Sequence, residues 1–349
     1  KLVTGEFDPT IHKAVWPSTG NFCRGGAFDC ALLGCTAVAI LPEGMSKERF
    51  DWLESIGAEV IKTPGTESNV KEIYDKCKEL AVQPGMRILN QFAEMANYRF
   101  HYFVTGNSIL EAVAELQSQG RGNGRVAAFV SAMGSAGTIA AGDRLKQVFP
   151  DCRVVGLEPI QCPTLFLNGY GGHDIQGIGD KHVTWIHNVL NMDALMCIDD
   201  VECKKGLQLL SDPAGGEYLV EAGVDPDHVR QISTLFGISG VCNVLGAIKT
   251  ARFYGLGRDD VIVTIGTDAI DRYRNEPGEG TVDLSRKARE LEARVQFDNI
   301  YFAKSADPEA PKWQIFDRHD SFGDLDTDFK DVVLKFSPAG GLKFLSGRN

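Results

Sequence analysis

Trp16-Pro17-Ser18-Thr19-Gly20-Asn21-Phe22, continued by Arg24-Gly25-Gly26-Ala27, is the stretch from which the rest of the chain can be read. Ser18, Thr19 and Asn21 are short polar side chains around a glycine, just ahead of an apolar, small-residue helix pattern made by Ala27, Cys30, Ala31 and Leu33. Free backbone N–H groups at a helix start and several side-chain hydrogen-bonding groups then converge on one point, and such a point binds an anion. The same residue types also make an ordinary N-cap, so this stretch alone leaves both readings open.

Outward from it the chain alternates. CTAVAIL at 35–41, closed by Pro42-Glu43-Gly44, reads as a buried strand ending in a turn. Ser46 predicts the start of a helix over 47–56, with Phe50, Leu53 and Ile56 on one face and Gly57 at its end. AEVIK at 58–62 is the next strand, and after a loop at 63–68 Asn69 opens a second amphipathic helix carrying Val70, Ile73, Tyr74, Cys77 and Leu80. Strand, helix, strand, helix predicts a parallel sheet wrapped by helices, an α/β protein. MRILN at 86–90 is a further short strand that places Asn90 and Gln91 at its carboxyl end, where open α/β sheets bind ligands; loop hydrogen bonding is the competing reading.

A helix over 107–116 and a glycine-rich connection at 119–124 lead to the strand 126–130. The turn that follows is Ser131-Ala132-Met133-Gly134-Ser135-Ala136-Gly137-Thr138, opening a helix over 139–148. Gly134 and Gly137 let backbone approach closely, Ser135 and Thr138 add hydroxyls, and the helix N-terminus adds partial positive charge, which together suit a phosphate. The turn has neither the lysine of a P-loop nor the three-glycine spacing of a dinucleotide fingerprint, and a tight turn without a ligand is the alternative.

Composition narrows the class. A chain of 349 residues, 43% hydrophobic, can bury a large core as two domains or one large α/β unit. A net charge of -11 without a dense Lys/Arg run argues against a nucleic-acid surface. Nine cysteines with no C-x-x-C pair read as reduced thiols in a cytoplasmic protein, and seven dispersed histidines without H-E-x-x-H imply no metal. No apolar run is long enough to span a bilayer, so no membrane partner is expected.

Taken together, the motifs resemble the fold-type II pyridoxal phosphate enzymes (tryptophan synthase β-like), and within them the cysteine synthase and cystathionine β-synthase branch. The resemblance runs over 2–273 in family order: PSTGN at 17–21, LPEGMSKERFDWLESIGAEVI after it, NQFAEMANYRFHY from Asn90, GSAGT at 134–138, IQGIG at 175–179 and GIS at 237–239. It implies two parallel-sheet domains wrapped by helices: a smaller mobile domain over 1–105 with the substrate loop, a larger phosphate-binding domain over 106–280, and a C-terminal extension over 281–349 packed on the body or a partner subunit. It implies pyridoxal 5'-phosphate as cofactor, with Asn21 on its ring hydroxyl, Gly134, Ser135, Ala136, Gly137 and Thr138 on its phosphate, and Gly237 against its ring. Ser18, Thr19, Gly20 and Gln91 are implied to hold the substrate carboxylate. Thr267 or Asp268 is implied to face the pyridine nitrogen, with Thr267 preferred; a hydroxyl leaves that nitrogen unprotonated, whereas a carboxylate protonates it.

The implied activity is β-elimination or β-replacement on a small L-amino acid of the cysteine or O-activated serine type, in a homodimer. The Schiff-base lysine the chemistry needs is expected upstream of Lys1, with Lys1 and Lys13 poor matches. A non-catalytic relative acting as a binding partner is the alternative, and a serine or threonine dehydratase a weaker one. An insertion between Val201 and Leu235 and an acidic tail after Tyr273, with a helix pattern at 284–295 and several aromatics, depart from the branch. Arg24 replaces a small residue of the family loop, as a surface salt-bridge residue or a reader of a second anionic group.

Overall fold

A computed structural model of the protein describes residues 1–270 except 19, 66–68 and 169–170, together with the backbone of 301–303, 313–316, 332–337 and 341–346. The expected helix at 284–295 lies outside the described residues.

The amino-terminal part alternates as its hydrophobic periods require: β1 (Lys13–Pro17), α1 (Asn21–Leu33), β2 (Ala37–Pro42), α2 (Lys47–Ser55), β3 (Glu59–Thr63), α3 (Val70–Ala81) and β4 (Met86–Ile88). These strands form an all-parallel sheet in the order β3-β2-β1-β4. Every residue of β2 is buried, because helices cover both faces of a parallel sheet. Its alternate side chains divide accordingly. Ala37, Ala39 and Leu41 pack with Cys23 and Ala27 of α1 and Phe50 and Leu53 of α2, whereas Val38 and Ile40 pack with Ile73, Cys77 and Leu80 of α3.

A longer helical run follows, α4 (Met95–Phe100) and α5 (Gly106–Ser118), joined without a break by a π-helical turn over His101–Thr105. The second sheet then builds from β5 (Val126–Ala132), α6 (Ile139–Val148), β6 (Arg153–Pro159), a short α7 (Thr164–Leu167) and β7 (Ala194–Ile198). Next come α8 (Asp200–Ser211), α9 (Pro213–Glu221), α10 (Pro226–Ile232), α11 (Ile238–Phe253) and β8 (Val261–Thr264). β7, β6, β5 and β8 are parallel neighbours. One face packs Val130, Val155, Leu157 and Met196 against Val241, Cys242 and Leu245 of α11 and Cys203 of α8. The other packs Phe129 against Ile109 and Val113 of α5 and Leu145 of α6. Each such side chain contributes about 1.5–3 kcal/mol on full burial.

The stretch between Val201 and Leu235 holds nearly all of α8 together with α9 and α10, the last two opened by Pro213 and Pro226 at their first position under the side-chain caps of Asp212 and Asp225. In the tail, β9 (Tyr301–Ala303) pairs antiparallel with β7, and β10 (Trp313–Phe316), β11 (Val332–Ser337) and β12 (Gly341–Ser346) continue the sheet outward. No helix among the described residues is long and apolar enough to cross a membrane.

Candidate active site

The two sheets meet along a cleft open to solvent, with a free volume of about 140 Å³, and the carboxyl ends of β1, β4 and β5 feed it. Ser18, Asn21, Gln91, Gly134, Ser135, Ala136, Gly137, Thr138 and Thr267 all line it, although they are drawn from four separate stretches of sequence. Gly20 and Gly237 are not in the lining, and Thr19 lies outside the described residues.

The substrate-loop side is built from β1 and the start of α1. α1 begins at Asn21, with Gly20 as a cap residue that supplies no side-chain cap, so the ordinary N-cap reading of this stretch does not hold. Ser18 is 3% exposed; its N–H donates to Ile40 O at 3.0 Å and its Oγ accepts from Gly20 N at 3.0 Å, which pins the turn. Gln91 Nε2 donates to Pro17 O at 3.2 Å, tying the end of β4 to the end of β1. Asn97 of α4 donates its Nδ2 to Gln91 O at 3.0 Å and to Ser135 Oγ at 2.9 Å, so one amide holds the substrate side and the phosphate-type turn together.

That turn has the shape of an anion cradle. Gly134 sits so close to the Gly177 backbone that an added Cβ would come within 2.7 Å of its carbonyl oxygen, and a Cβ on Gly137 would collide with the Asn97 amide. Ala136 takes a left-handed φ of 62°, a conformation that costs a non-glycine residue about 1–2 kcal/mol and turns successive N–H groups to one side. Thr138 Oγ1 and Ser131 Oγ bond each other at 2.7 Å at the start of α6, and Thr184 Oγ1 donates to Ser135 O at 2.8 Å from outside.

The floor is formed by α11 and the segment after β8. Asn243, 1% exposed, accepts from Ala132 N at 2.7 Å and donates to Ile265 O at 2.8 Å, locking the ends of β5 and β8. Ser239 Oγ and Thr267 Oγ1 bond at 2.6 Å and both face the cleft. Gly237 caps α11, its N–H donating to Asp268 O at 2.7 Å. Asp268 turns elsewhere: its carboxylate accepts from Asn21 Nδ2 at 3.0 Å and pairs with Arg49 Nη2 at 3.7 Å, both side chains nearly buried at 6% and 5% exposure. Arg49 also reaches Gln176 Oε1 at 3.0 Å through Nε and Asn21 Oδ1 at 3.5 Å through Nη1. Arg24 sets its guanidinium over the Trp52 ring at 4.3 Å.

Sequence reasoning missed Ser131 and Asp180, which line the cleft, and Arg49, Asn97 and Asn243, which hydrogen-bond residues that line it, because none belongs to a recognisable spacing. Ser131 and Asn97 stood inside quoted runs and could have been noticed as polar residues among apolar ones. Among the described residues no lysine lines the cleft: Lys1 pairs with Glu6 at 3.1 Å and Glu94 at 3.5 Å, and Lys13 with Glu59 at 2.6 Å. No three His, Cys, Asp or Glu side chains gather to hold a metal among them either.

A tight backbone turn at a helix start, facing a polar wall across a cleft, suits an anionic group held beside a small polar ligand. The chain belongs to the family of pyridoxal-phosphate dependent enzymes, whose pattern matches residues 10–268. It is similar to the cysteine synthase of Staphylococcus aureus, 31% identical over 264 residues that make up 75% of this chain and 76% of the relative. A probable cysteine synthase of Bacillus subtilis is 33% identical over 259 residues, 74% of this chain and 75% of the relative. A solved hydrogen sulfide-producing enzyme from Fusobacterium nucleatum superposes with a TM-score of 0.63 at 25% identity, covering 82% of this chain and 79% of the other. The residues present fit the family's cofactor, since the Gly134–Thr138 turn lines the cleft at the start of α6 and the Ser239 and Thr267 hydroxyls face the same space.

Proposed function

We propose that this protein, with pyridoxal 5'-phosphate in the cleft, catalyses β-elimination or β-replacement on a small L-amino acid of the cysteine or O-activated serine type. The observation that carries the reading is the joining of the Ser18 and Gln91 wall to the Gly134–Thr138 cradle through the single amide of Asn97. The bound cofactor supplies a sink for the electron pair released at the substrate's α-carbon. The chain's residues do the remaining work. Gly134, Ser135, Ala136, Gly137 and Thr138 hold the phosphate with backbone N–H groups and hydroxyls at the start of α6. Ser18, Thr19, Gly20 and Gln91 take the substrate carboxylate, Asn21 takes the ring hydroxyl, and Gly237 lies against the ring.

Thr267 is the better partner for the ring nitrogen, because its hydroxyl lines the cleft with Ser239 whereas the Asp268 carboxylate is engaged by Arg49 and Asn21. A hydroxyl leaves that nitrogen unprotonated and the sink moderate, which suits departure of a β-substituent. The cysteine synthase relatives and the hydrogen sulfide-producing neighbour support the substrate class. We further place the division of the chain at 1–105, 106–280 and 281–349, the working unit as a homodimer, and the protein in the cytoplasm, in keeping with nine free cysteines of which eight are buried.

The test is product analysis of the cofactor-loaded full-length protein with cysteine and with O-acetylserine, each with and without a second thiol. Sulfide, cysteine or a thioether is the expected product. Cofactor binding without turnover of either amino acid would favour a non-catalytic binding role, and preferential conversion of serine or threonine to a keto acid would favour a dehydratase.

A further inference from the structure

Away from the cleft, α1 ends in a way that sets two thiols side by side. Gly34 stands just past the helix with a left-handed φ of 68°, its N–H donating to Ala31 O at 3.3 Å, and the N–H of Cys35 donates to Cys30 O at 3.0 Å. These two bonds make a Schellman cap, in which the side chain after the glycine packs on the residue whose carbonyl it caps. That contact is ordinarily apolar; here both partners are cysteines. Cys35 and Trp16 both pack on the cluster that contains Cys30 and Ala27. A direct backbone hydrogen bond keeps the two Cα atoms within the span of roughly 4.4–6.8 Å that a disulfide bridges.

The two thiols differ in a way that divides the work of oxidation. Cys30 is 2% exposed, and burial pushes its thiol up to about 12, against a hydrogen bond from Trp16 that lowers it and with the neighbouring Cys35 thiol raising it further. Cys35 is only half-buried, and the four residues between them, Ala31, Leu32, Leu33 and Gly34, are all exposed, so a small solute reaches Cys35 from solvent. A second pair, Cys203 of α8 and Cys242 of α11, has no such access, since both residues are 0% exposed in the core. The state of Cys30 also reaches the cleft wall. Trp16 Nε1 donates to Cys30 Sγ at 3.3 Å, the Trp16 ring packs edge-on to Phe22 at 5.2 Å, and Phe22 lines the cleft beside Ser18 and Asn21. Gly26 lets that ring lie on α1, since an added Cβ there would meet it at 2.0 Å.

We propose that Cys30 and Cys35 form a reversible redox site, closed to a disulfide by low-molecular-weight disulfides and read at the cleft wall through Trp16. The site stands independently of the β-chemistry proposed above. In the first step the Cys35 thiolate attacks one sulfur of RS–SR; the bond from Cys35 Sγ to that sulfur forms, the S–S bond of the reagent breaks, and RS⁻ leaves with the electron pair and takes up the proton that Cys35 had given to water. In the second the Cys30 sulfur attacks Cys35 Sγ, a second RS⁻ leaves with its pair, and the Cys30 proton goes to it. Two thiols of the protein are oxidised and one RSSR is reduced to two RSH. Closure turns Cys30 Sγ toward Cys35 and away from the indole N–H that it accepts in the reduced protein. A transient disulfide of this kind is what a reducing compartment permits.

The test incubates the full-length protein with glutathione disulfide, alkylates it without reduction and maps the tryptic peptide 25–47, which contains these two cysteines alone. In the parent the peptide should be lighter by the two hydrogens lost and carry neither an alkyl group nor glutathione, and dithiothreitol should restore both thiols. Cys30→Ser should stop at the first step and keep one glutathione on Cys35, whereas Cys35→Ser should leave Cys30 unmodified. Closure in the parent should outpace any reaction of Cys203 or Cys242 by at least about tenfold. Tryptophan emission should fall on closure, because a disulfide quenches an adjacent indole, and Trp16→Phe should close without that fall. A parent that keeps glutathione on Cys35 without closing, a parent that does not react, pairing of either cysteine elsewhere, or emission that is unchanged on closure or falls equally in Trp16→Phe would each overturn the proposal. Should Cys30→Ser not fold, Cys30→Ala is read in the same way.

Discussion

Asn97 is the residue on which the cleft closes, since its one amide reaches Gln91 O and Ser135 Oγ and lies where a Gly137 side chain would go. Gly137→Asp should displace that amide and place a carboxylate beside a phosphate, two effects of the same sign. We expect cofactor affinity to fall at least about a hundredfold, roughly 2.8 kcal/mol, in an equilibrium titration; equal affinity in variant and parent would refute the cradle. Two buried imidazoles make a second expectation. His173 and His187 are both pressed down to about 4 by burial, so below the ordinary 6.5 the unfolded chain takes up protons that the folded one refuses. Stability from these two groups is present above pH 6.5 and is lost as pH falls toward 4, by up to about 3 kcal/mol for each. Urea midpoints at pH 7 and pH 5 should differ accordingly, and His187→Gln should flatten the difference. At this scale glycines and hydroxyls were legible because spacing alone marks them. Asn97 was not, because its meaning lies in Ser135, which only the fold brings near.

Elements were legible where one hydrophobic period governed them. The Ile139–Val148 helix is found at its expected bounds, and the strand read at 35–41 is β2 at Ala37–Pro42, shifted because Cys35 closes the turn out of α1. α4 and the π-helical turn were not read, because Met95, Phe100, Phe103 and Val104 are apolar yet exposed and blur the stripe that marks a helix. α11 carries a dependence that no pattern announces. Asn243 satisfies the buried N–H of Ala132 and carbonyl of Ile265, and Asn243→Ala leaves both without a partner. The cost should be about 2–6 kcal/mol by urea denaturation, at about 1–3 kcal/mol for each orphaned group. A loss well below 1 kcal/mol would mean that water replaces the amide.

On the scale of the whole molecule, the parallel α/β architecture followed from alternation alone, whereas the addition of tail strands to β7 did not, because antiparallel pairing at a sheet edge leaves little trace in the added segment. β7 is buried along its whole length, and without β9 its ladder would end in open N–H and carbonyl groups flanked by Leu195 and Cys197. Such an edge is a template for association. Truncation after Ile270 should therefore raise the light-scattering mass or lower solubility, and a truncated protein that keeps the parent's mass and solubility would show the edge to be harmless.

The π-helical turn over His101–Thr105 also bears on which chain lengths this protein tolerates. A turn of this kind accommodates one residue more than an α-helix of the same rise. Deleting a single residue there would heal the helix into regular form and rotate everything on its amino-terminal side by about 100°. Asn97 would swing off Ser135, which lies on the other side of the turn, and the cleft would come apart while the helix itself gained regularity. Shortening by one residue here is a switch between a more regular helix and a working pocket.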